Sequence, residues 1–333
     1  MKDYRAPWWL PGGHLQTIYP YFVLKRRPPP YRRERWDTPD GDFIDLDWVD
    51  AQQPAPLVAL FHGLEGCSTS HYAAALMHAV ARRGWGGVVV HFRGCGGEPN
   101  RLPRAYHSGD ANEIDWILRR LHALPGHIAL LPVGVSLGGN ALLKWLGRER
   151  AKAAAIVDAA AAVSAPTDLM TAGDRLGSGL SRAYGSHFLA RLKKKSLAKL
   201  TGFPGLFDGE AVRRTRTLRA FDNLVTAPLH GFRDTDDYWT RASSKPDLAH
   251  VTVPTLIVHA RNDPFLPGRF LPAPQQVSAS VHLEFPDGGG HVGFASGPFP
   301  GNLDWMPGRV IRFFEQQIGS RKQAGARARS GRA

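Results

Sequence analysis

Three residues of this chain have the type and setting to do chemistry together: a serine between glycines, a histidine in a glycine loop, and an aspartate at a strand end. Gly134-Val135-Ser136-Leu137-Gly138-Gly139 fits the pattern G-x-S-x-G. It follows the apolar stretch IALLPV and precedes NALLKWL, so Ser136 falls on a strand–turn–helix corner. A hydroxyl there stands clear of the backbone, at a helix N-terminus that favours developing negative charge. A serine attacks a carbonyl only when a base takes its proton. His291, in Gly288-Gly289-Gly290-His291-Val292-Gly293 directly after VHLEF, is placed to be that base. Asp263, in Arg261-Asn262-Asp263-Pro264 after TLIVHA, is placed to orient the imidazole and stabilise its charged form. Asp168 in SAPTD is the rival acid; a buried carboxylate needs the loop beside the base, which favours Asp263 and leaves Asp168 as a helix cap. An oxyanion needs two preorganised backbone N–H donors. Leu137, just after the serine, and Leu64, in Phe61-His62-Gly63-Leu64-Glu65-Gly66, are the candidates. Gly63 lets the backbone approach there, and His62 would buttress the loop.

The elements that must hold these residues read as alternating strands and helices. Ile44, Leu46 and Trp48 alternate with Asp45 and Asp47, which predicts a half-buried strand. Short apolar runs predict strands at 57–61, 87–92, 127–133, 153–163, 253–260 and 281–285. Helical spacing of apolar residues predicts helices at 72–83 and 140–146, and another capped by Ser108 or Asp110. Pro307 predicts the start of a last helix. Such alternation implies an α/β fold with a mostly parallel sheet flanked by helices, its ligand site at the C-terminal strand ends. Residues 165–245 break the alternation and read as an inserted helical lid. The expected organisation is an aromatic and basic arm at 1–36, a core at 37–164 and 246–319, the lid, and a disordered basic tail at 320–333.

HGLEG, RGCGG, GVSLGGN, ARNDPF and GGGHVGF, in this order, resemble the alpha/beta-hydrolase superfamily, and more narrowly the YheT-like hydrolases. PWWLPGGHLQT and FDNLVTAPLHGFRDTDDYW resemble that branch too, and the likeness runs from about residue 7 to 318. The resemblance implies the alpha/beta-hydrolase fold, a Ser136–Asp263–His291 triad, and serine carboxylesterase or lipase activity. The substrates implied are short- to medium-chain acyl esters, lipids included, cleaved through an acyl-enzyme on Ser136. Eukaryotic relatives include acylglycerol lipases, phospholipases and ethyl-ester synthase/esterases, which makes acyl transfer to an alcohol the first alternative. A peptidase of the same fold is the second. A basic membrane- or nucleic-acid-associated protein with an inert hydrolase fold is the third, and an intact triad speaks against it. Epoxide and haloalkane chemistry is disfavoured, because those relatives place Asp where this chain has Ser136.

Composition sets the outer bounds. The chain has 333 residues, 43% hydrophobic and 21% charged, which excludes a wholly disordered, collagen-like or coiled-coil protein. Cys67 and Cys95 are too few for a disulfide framework or a four-cysteine zinc site, and His14 and His62 lack partners at metal-ligand spacing. No metal and no cofactor are therefore expected. Without a signal-peptide core or an apolar run of ~18 residues, the expected location is the cytoplasm. The formal net charge of +13 suggests nucleic acid at first sight. It is concentrated, however: +5 in residues 25–35, +7 in 188–219, +5 in the tail from Arg321, and −4 in the rest. No nucleic acid is expected. The narrower question is a weak contact of arm and lid with an anionic membrane surface. The aromatic arm, with Trp8, Trp9 and His14, is expected to pack on the core. Residues 186–200 form a candidate amphipathic helix, with Phe188, Leu189, Leu192 and Leu200 on one face and Lys193, Lys194 and Lys199 on a solvated one. Cys95 reads as a small packing residue, since no base is paired with it.

Overall fold

Successive residues of a strand face opposite sides of its sheet, so a strand covered on both sides is apolar throughout. That is the reading of LVALF, GVVVH and IALLPV in this chain. The computed structural model describes residues 3–330. Its strands are β1 (Arg32–Asp37), β2 (Phe43–Val49), β3 (Ala55–Phe61), β4 (Gly86–His91), β5 (His127–Val135), β6 (Ala160–Val163), β7 (Thr255–Val258) and β8 (Val281–Glu284). They form one sheet in the order β1-β2-β4-β3-β5-β6-β7-β8. Pairing is parallel from β4 to β8, and β2 runs antiparallel to both its neighbours. This is the mostly parallel, helix-flanked α/β sheet expected.

Helix α1 (Gly13–Phe22) precedes the sheet, and α2 (His71–Arg82), α3 (Ala111–His122) and α4 (Leu137–Glu149) connect its strands. Leu57, Ala59 and Phe61 of β3 pack with Ile114, Ile117 and Leu118 of α3 and with Leu142, Trp145 and Leu146 of α4. Val58 and Leu60 point the other way, towards Leu76, Met77 and Val80 of α2. The last helix, which runs over Trp305–Ser330, adds Val310, Ile311 and Phe314 on that side. Asp110 caps α3, accepting the Glu113 N–H at 3.2 Å.

Between β6 and β7 lie α5 (Leu169–Leu176), α6 (Arg182–Lys199), α7 (Gly209–Arg214), α8 (Leu218–Phe221), α9 (Ala227–Leu229) and α10 (Thr235–Ala242). A π-helical segment over Asp222–Thr226 separates α8 from α9. The final helix is α11 (Trp305–Ser330). This insertion is the helical 165–245 stretch.

Four expectations change. The strand expected at 153–163 is only β6, because Arg150–Ala155 winds into a 3-10 helix and leaves four residues to pair. The arm does not extend to residue 36, since Arg32–Asp37 is an edge strand. The tail does not loosen at 320. Gln, Lys, Ala and Arg are good helix formers and carry α11 on to Ser330, while residues 331–333 lie outside those described. Of the lysines expected on a solvated face of α6, Lys194 is exposed but Lys199 reaches Asn100 Oδ1 on the core at 2.8 Å, beside Lys195, which reaches Glu65 at 2.9 Å.

The edge strand also explains where the arm's charge goes. In the β1–β2 register Arg33 faces Asp47 and Arg35 faces Asp45. Each guanidinium meets its carboxylate through two N–H bonds, at 2.7 and 2.7 Å and at 2.8 and 3.2 Å.

Below β4 the guanidinium of Arg93, 2% exposed, lies 2.8 Å from Glu113, 2.9 Å from Asp40 and 3.1 Å from Asp42. Buried charges are tolerated only when paired. Arg93→Met strands Asp42 and Glu113 without their cation and should cost about 3–5 kcal/mol. Urea unfolding should show the midpoint falling accordingly; an unshifted midpoint refutes this reading of the cluster.

Candidate active site

The corner after β5 sets Ser136 at φ 51° and ψ −118°, a left-handed conformation that L side chains rarely adopt. Neighbouring backbone fixes it: Ser136 N–H donates to Val163 O at 2.9 Å, and Gly138 N–H donates to His62 O at 3.2 Å. A Cβ on Gly134 would lie 2.5 Å from Gly138 O, and one on Gly138 would lie 2.3 Å from Phe61 O. Both glycines are therefore required by close approach of backbone.

His291 arrives on the loop after β8, with Nε2 2.9 Å from Ser136 Oγ and Nδ1 2.8 Å from Asp263 Oδ2. Asp263 lies on the loop after β7 and is wholly buried. Its Oδ1 accepts the Phe265 N–H at 2.8 Å, and His259 Nε2 lies 3.1 Å from Oδ2. Burial alone would raise this carboxyl's pKa. The adjoining His291 and His259, and the hydrogen bonds they donate, outweigh burial and hold it well below the usual carboxylate range. An ionised Asp263 fixes the proton of His291 on Nδ1 and leaves Nε2 free to accept from Ser136. The Phe265 ring stacks on the imidazole, centroids 4.0 Å apart.

The three residues taken from the sequence thus meet in one hydrogen-bonded line. Asp168 stands apart as the cap of α5, accepting the Thr171 N–H at 3.0 Å.

Leu64 and Leu137 face the same pocket as Ser136. Among the described residues no acceptor engages either N–H, while the flanking N–H groups are taken: Gly63 by Tyr72 Oη, Glu65 by Tyr106 Oη, and Gly138 by His62 O. His62 is fully buried; its Nδ1 donates to Gly63 O at 2.7 Å and its Nε2 accepts the Phe92 N–H at 3.1 Å. It buttresses the loop as a neutral ring, and burial drives its pKa from 6.5 to about 3.

Several positioning residues were not recognisable in the sequence. Gln16 Oε1 on α1 accepts from Gly289 N–H at 2.7 Å and from Asn262 Nδ2 at 2.8 Å, tying the histidine loop to the aspartate loop. Thr17 Oγ1 accepts the His291 N–H at 2.8 Å, and Ser164 Oγ accepts the Val292 N–H at 3.1 Å. The arm therefore packs on the core, as expected, and does so against the back of the site. His14 pairs with Tyr184 Oη at 3.1 Å, and Trp8 is 92% exposed. The only early sign of α1 was its GGHLQT stretch.

Beside Ser136 lies an apolar pocket of about 120 Å³, walled by Leu64, Leu137, Leu169, Phe188, Leu192 and Trp239. Asp222 is the acid in its wall. Burial raises its carboxyl to about 6 against the hydrogen bonds of Thr226 and Trp239. Burial pushes the Cys95 thiol up to about 11, although Lys195 Nζ, a neighbour the sequence did not show, lies 3.3 Å from its sulfur. Among the described residues no cluster of three or more His, Cys, Asp or Glu could hold a metal. No helix among them is long and apolar enough to cross a membrane.

This geometry on this sheet defines a hydrolase of the alpha/beta-hydrolase fold, and the family of that description matches residues 56–298. Within it the chain belongs to the YheT-like hydrolases. It is 41% identical over 303 residues to YheT of Escherichia coli (strain K12), a protein carrying an esterase name, covering 89% of this chain and 88% of that one. Human phospholipase ABHD3 is 30% identical over 95% of this chain and 79% of its own. Among solved structures, the Pyrococcus furiosus esterase Pf2001 superposes with a TM-score of 0.56 at 14% identity, covering 88% of this chain and 97% of its own.

The neutrality of His62 carries a pH signature. Its unfolded imidazole protonates near 6.5 and the folded one only near 3, so the unfolded state takes the proton first. Stability should fall as pH drops from 6.5 towards 3. One unit below 6.5 the loss assignable to His62 is about 1.4 kcal/mol. Denaturant melts at two pH values should show this loss reduced in His62→Gln; equal losses in variant and wild type would refute it.

Proposed function

We propose that the protein is a serine esterase of the carboxylesterase or lipase type, cleaving short- to medium-chain acyl esters through an acyl-enzyme on Ser136. What supports the reading is a single arrangement: the Asp263–His291–Ser136 line ends beside two partnerless N–H groups at the mouth of an apolar pocket. The esterase and lipase names of the relatives, a yeast monoacylglycerol lipase among them, point the same way.

The chemistry follows from the geometry. Ser136 Oγ attacks the acyl carbonyl while His291 Nε2 takes its proton. Asp263 stabilises the imidazolium through Nδ1. The carbonyl oxygen, now negative, accepts the N–H groups of Leu64 and Leu137. Donors fixed in place before the charge develops need no reorganisation, which is what makes them effective. His291 then passes its proton to the leaving alkoxide. A water gives a proton to the same Nε2 and attacks the acyl carbon, and collapse of the second tetrahedral intermediate returns the proton to Ser136. The acyl chain lies in the apolar pocket.

A fluorophosphonate probe should label wild-type protein at Ser136 and leave Ser136→Ala unlabelled. Asp263→Asn keeps the shape but misplaces the imidazole proton, and should lower kcat on p-nitrophenyl esters by about 10⁴-fold. Product analysis with added alcohol separates hydrolysis from acyl transfer. A folded wild-type protein that resists the probe and matches Ser136→Ala across an acyl-length series refutes the proposal.

A further inference from the structure

The apolar pocket beside Ser136 carries one group that a plain acyl chain does not need. Among the described residues that line it, Asp222 is the single carboxylic acid. The backbone leaves the α-helical path at this acid: Asp222–Thr226 is a π-helical turn, a rare form that recurs at functional sites. Two neutral donors hold the carboxylate. Thr226 Oγ1 donates to Oδ1 at 2.6 Å, and Trp239 Nε1 donates to Oδ2 at 2.9 Å. Among the described residues no cation pairs with it; Arg219, the basic residue nearest to it in sequence, is held by Asp174 and Asp236. Burial is therefore opposed by these two hydrogen bonds and by no positive charge, and it raises the carboxyl to about 6.

An ionised carboxylate has about four lone-pair sites, so two donors leave it short of partners. No third donor bonds it among the described residues, and much of the wall around it is apolar, with Leu169, Leu176, Phe188, Leu192 and Leu218. An unsubstituted alkyl chain filling the pocket would displace water from Asp222 and give it no hydrogen bond in return, which is unfavourable. A hydroxyl on the chain restores that bond. An ammonium would restore it too, but costs far more than a hydroxyl to strip of water at an apolar wall. We infer that Asp222 forms a polar subsite within the acyl pocket and accepts a hydrogen bond from a hydroxyl on the acyl chain, which makes hydroxyacyl esters the substrate class. The inference rests on the esterase reading of Ser136 and adds to it the chemistry of the acyl half.

Methyl octanoate and methyl octanoates bearing one hydroxyl, moved along the chain, test it. A site built to bond a substrate hydroxyl rejects the analogue that lacks it. A hydrogen bond to a charged group is strong enough to favour the hydroxylated ester by about tenfold in kcat/KM at the matching position. Asp222 also ties Thr226 to Trp239, so its loss can slow every ester; the ratio between two esters reads the hydroxyl contact alone. That preference should be lost in Asp222→Leu and reduced in Asp222→Asn, which keeps the shape and removes the charge. Should Asp222→Leu not fold, Asp222→Asn decides. Equal kcat/KM across the series, or a preference undiminished in the folded variants, overturns the inference. Faster cleavage of the matching amino-substituted ester assigns Asp222 to a cation and also overturns it. If no ester is cleaved and the fluorophosphonate fails to label Ser136, the esterase reading falls. Calorimetry with octanoate and its hydroxylated counterparts then decides the subsite by itself. Tighter binding of a hydroxy acid, lost in Asp222→Leu or reduced in Asp222→Asn, upholds it; equal binding, or none, overturns it.

Discussion

The backbone of Ser136 is the constraint on which the site depends. A left-handed conformation at a residue with a side chain costs on the order of 1–3 kcal/mol and persists only where its surroundings over-determine it. Here they do. The Ser136 N–H is anchored on β6 and the Gly138 N–H on the loop after β3, and two glycines allow the approach. The bonds that hold the corner also set the spacing between the serine and the Leu64 loop. Ser136 and the N–H groups of Leu64 and Leu137 are thus parts of one rigid junction rather than separate features.

The other half of the site is assembled by α1. Asp263 and His291 sit on loops after adjacent parallel strands, and the Gly290 N–H already bonds Asn262 Oδ1 across them at 3.0 Å. The amide of Gln16 joins the loops themselves. The fit is close enough that a Cβ on Gly293 would lie 1.9 Å from Gln16 O. An element ahead of the sheet in sequence thereby braces the loops that carry Asp263 and His291.

Much of this is legible in the sequence because it is local. Ser136 announces itself by glycines two residues away, and Asp263 and His291 by their strand ends. Strands β3, β4, β5 and β7 are mostly apolar runs, and α3 carries its own cap. What escaped is non-local. RRERWD does not look like a strand, because its arginines are satisfied by Asp45 and Asp47 on the next strand. The alanines before β6 satisfy an apolar pattern equally well as a 3-10 turn. His259, Gln16 and Thr17 gain their roles only through contacts made by the folded chain. The lysines of α6 looked solvated because the acid that receives Lys195 lies 130 residues away in sequence.

The ladder of paired charges on β1 has a bearing on the protein in concentrated solution. An outermost strand with open backbone groups is a template on which another chain can pair. Of the two ends of this sheet, the β1 end is the one studded with arginines and acids: Arg33 and Arg35 stand against Asp47 and Asp45 of β2, and Arg32 against Asp50 just beyond it. A second β1 laid alongside in parallel register would bring arginines against arginines. The charges of this basic stretch thus blunt the edge as a template for strand addition.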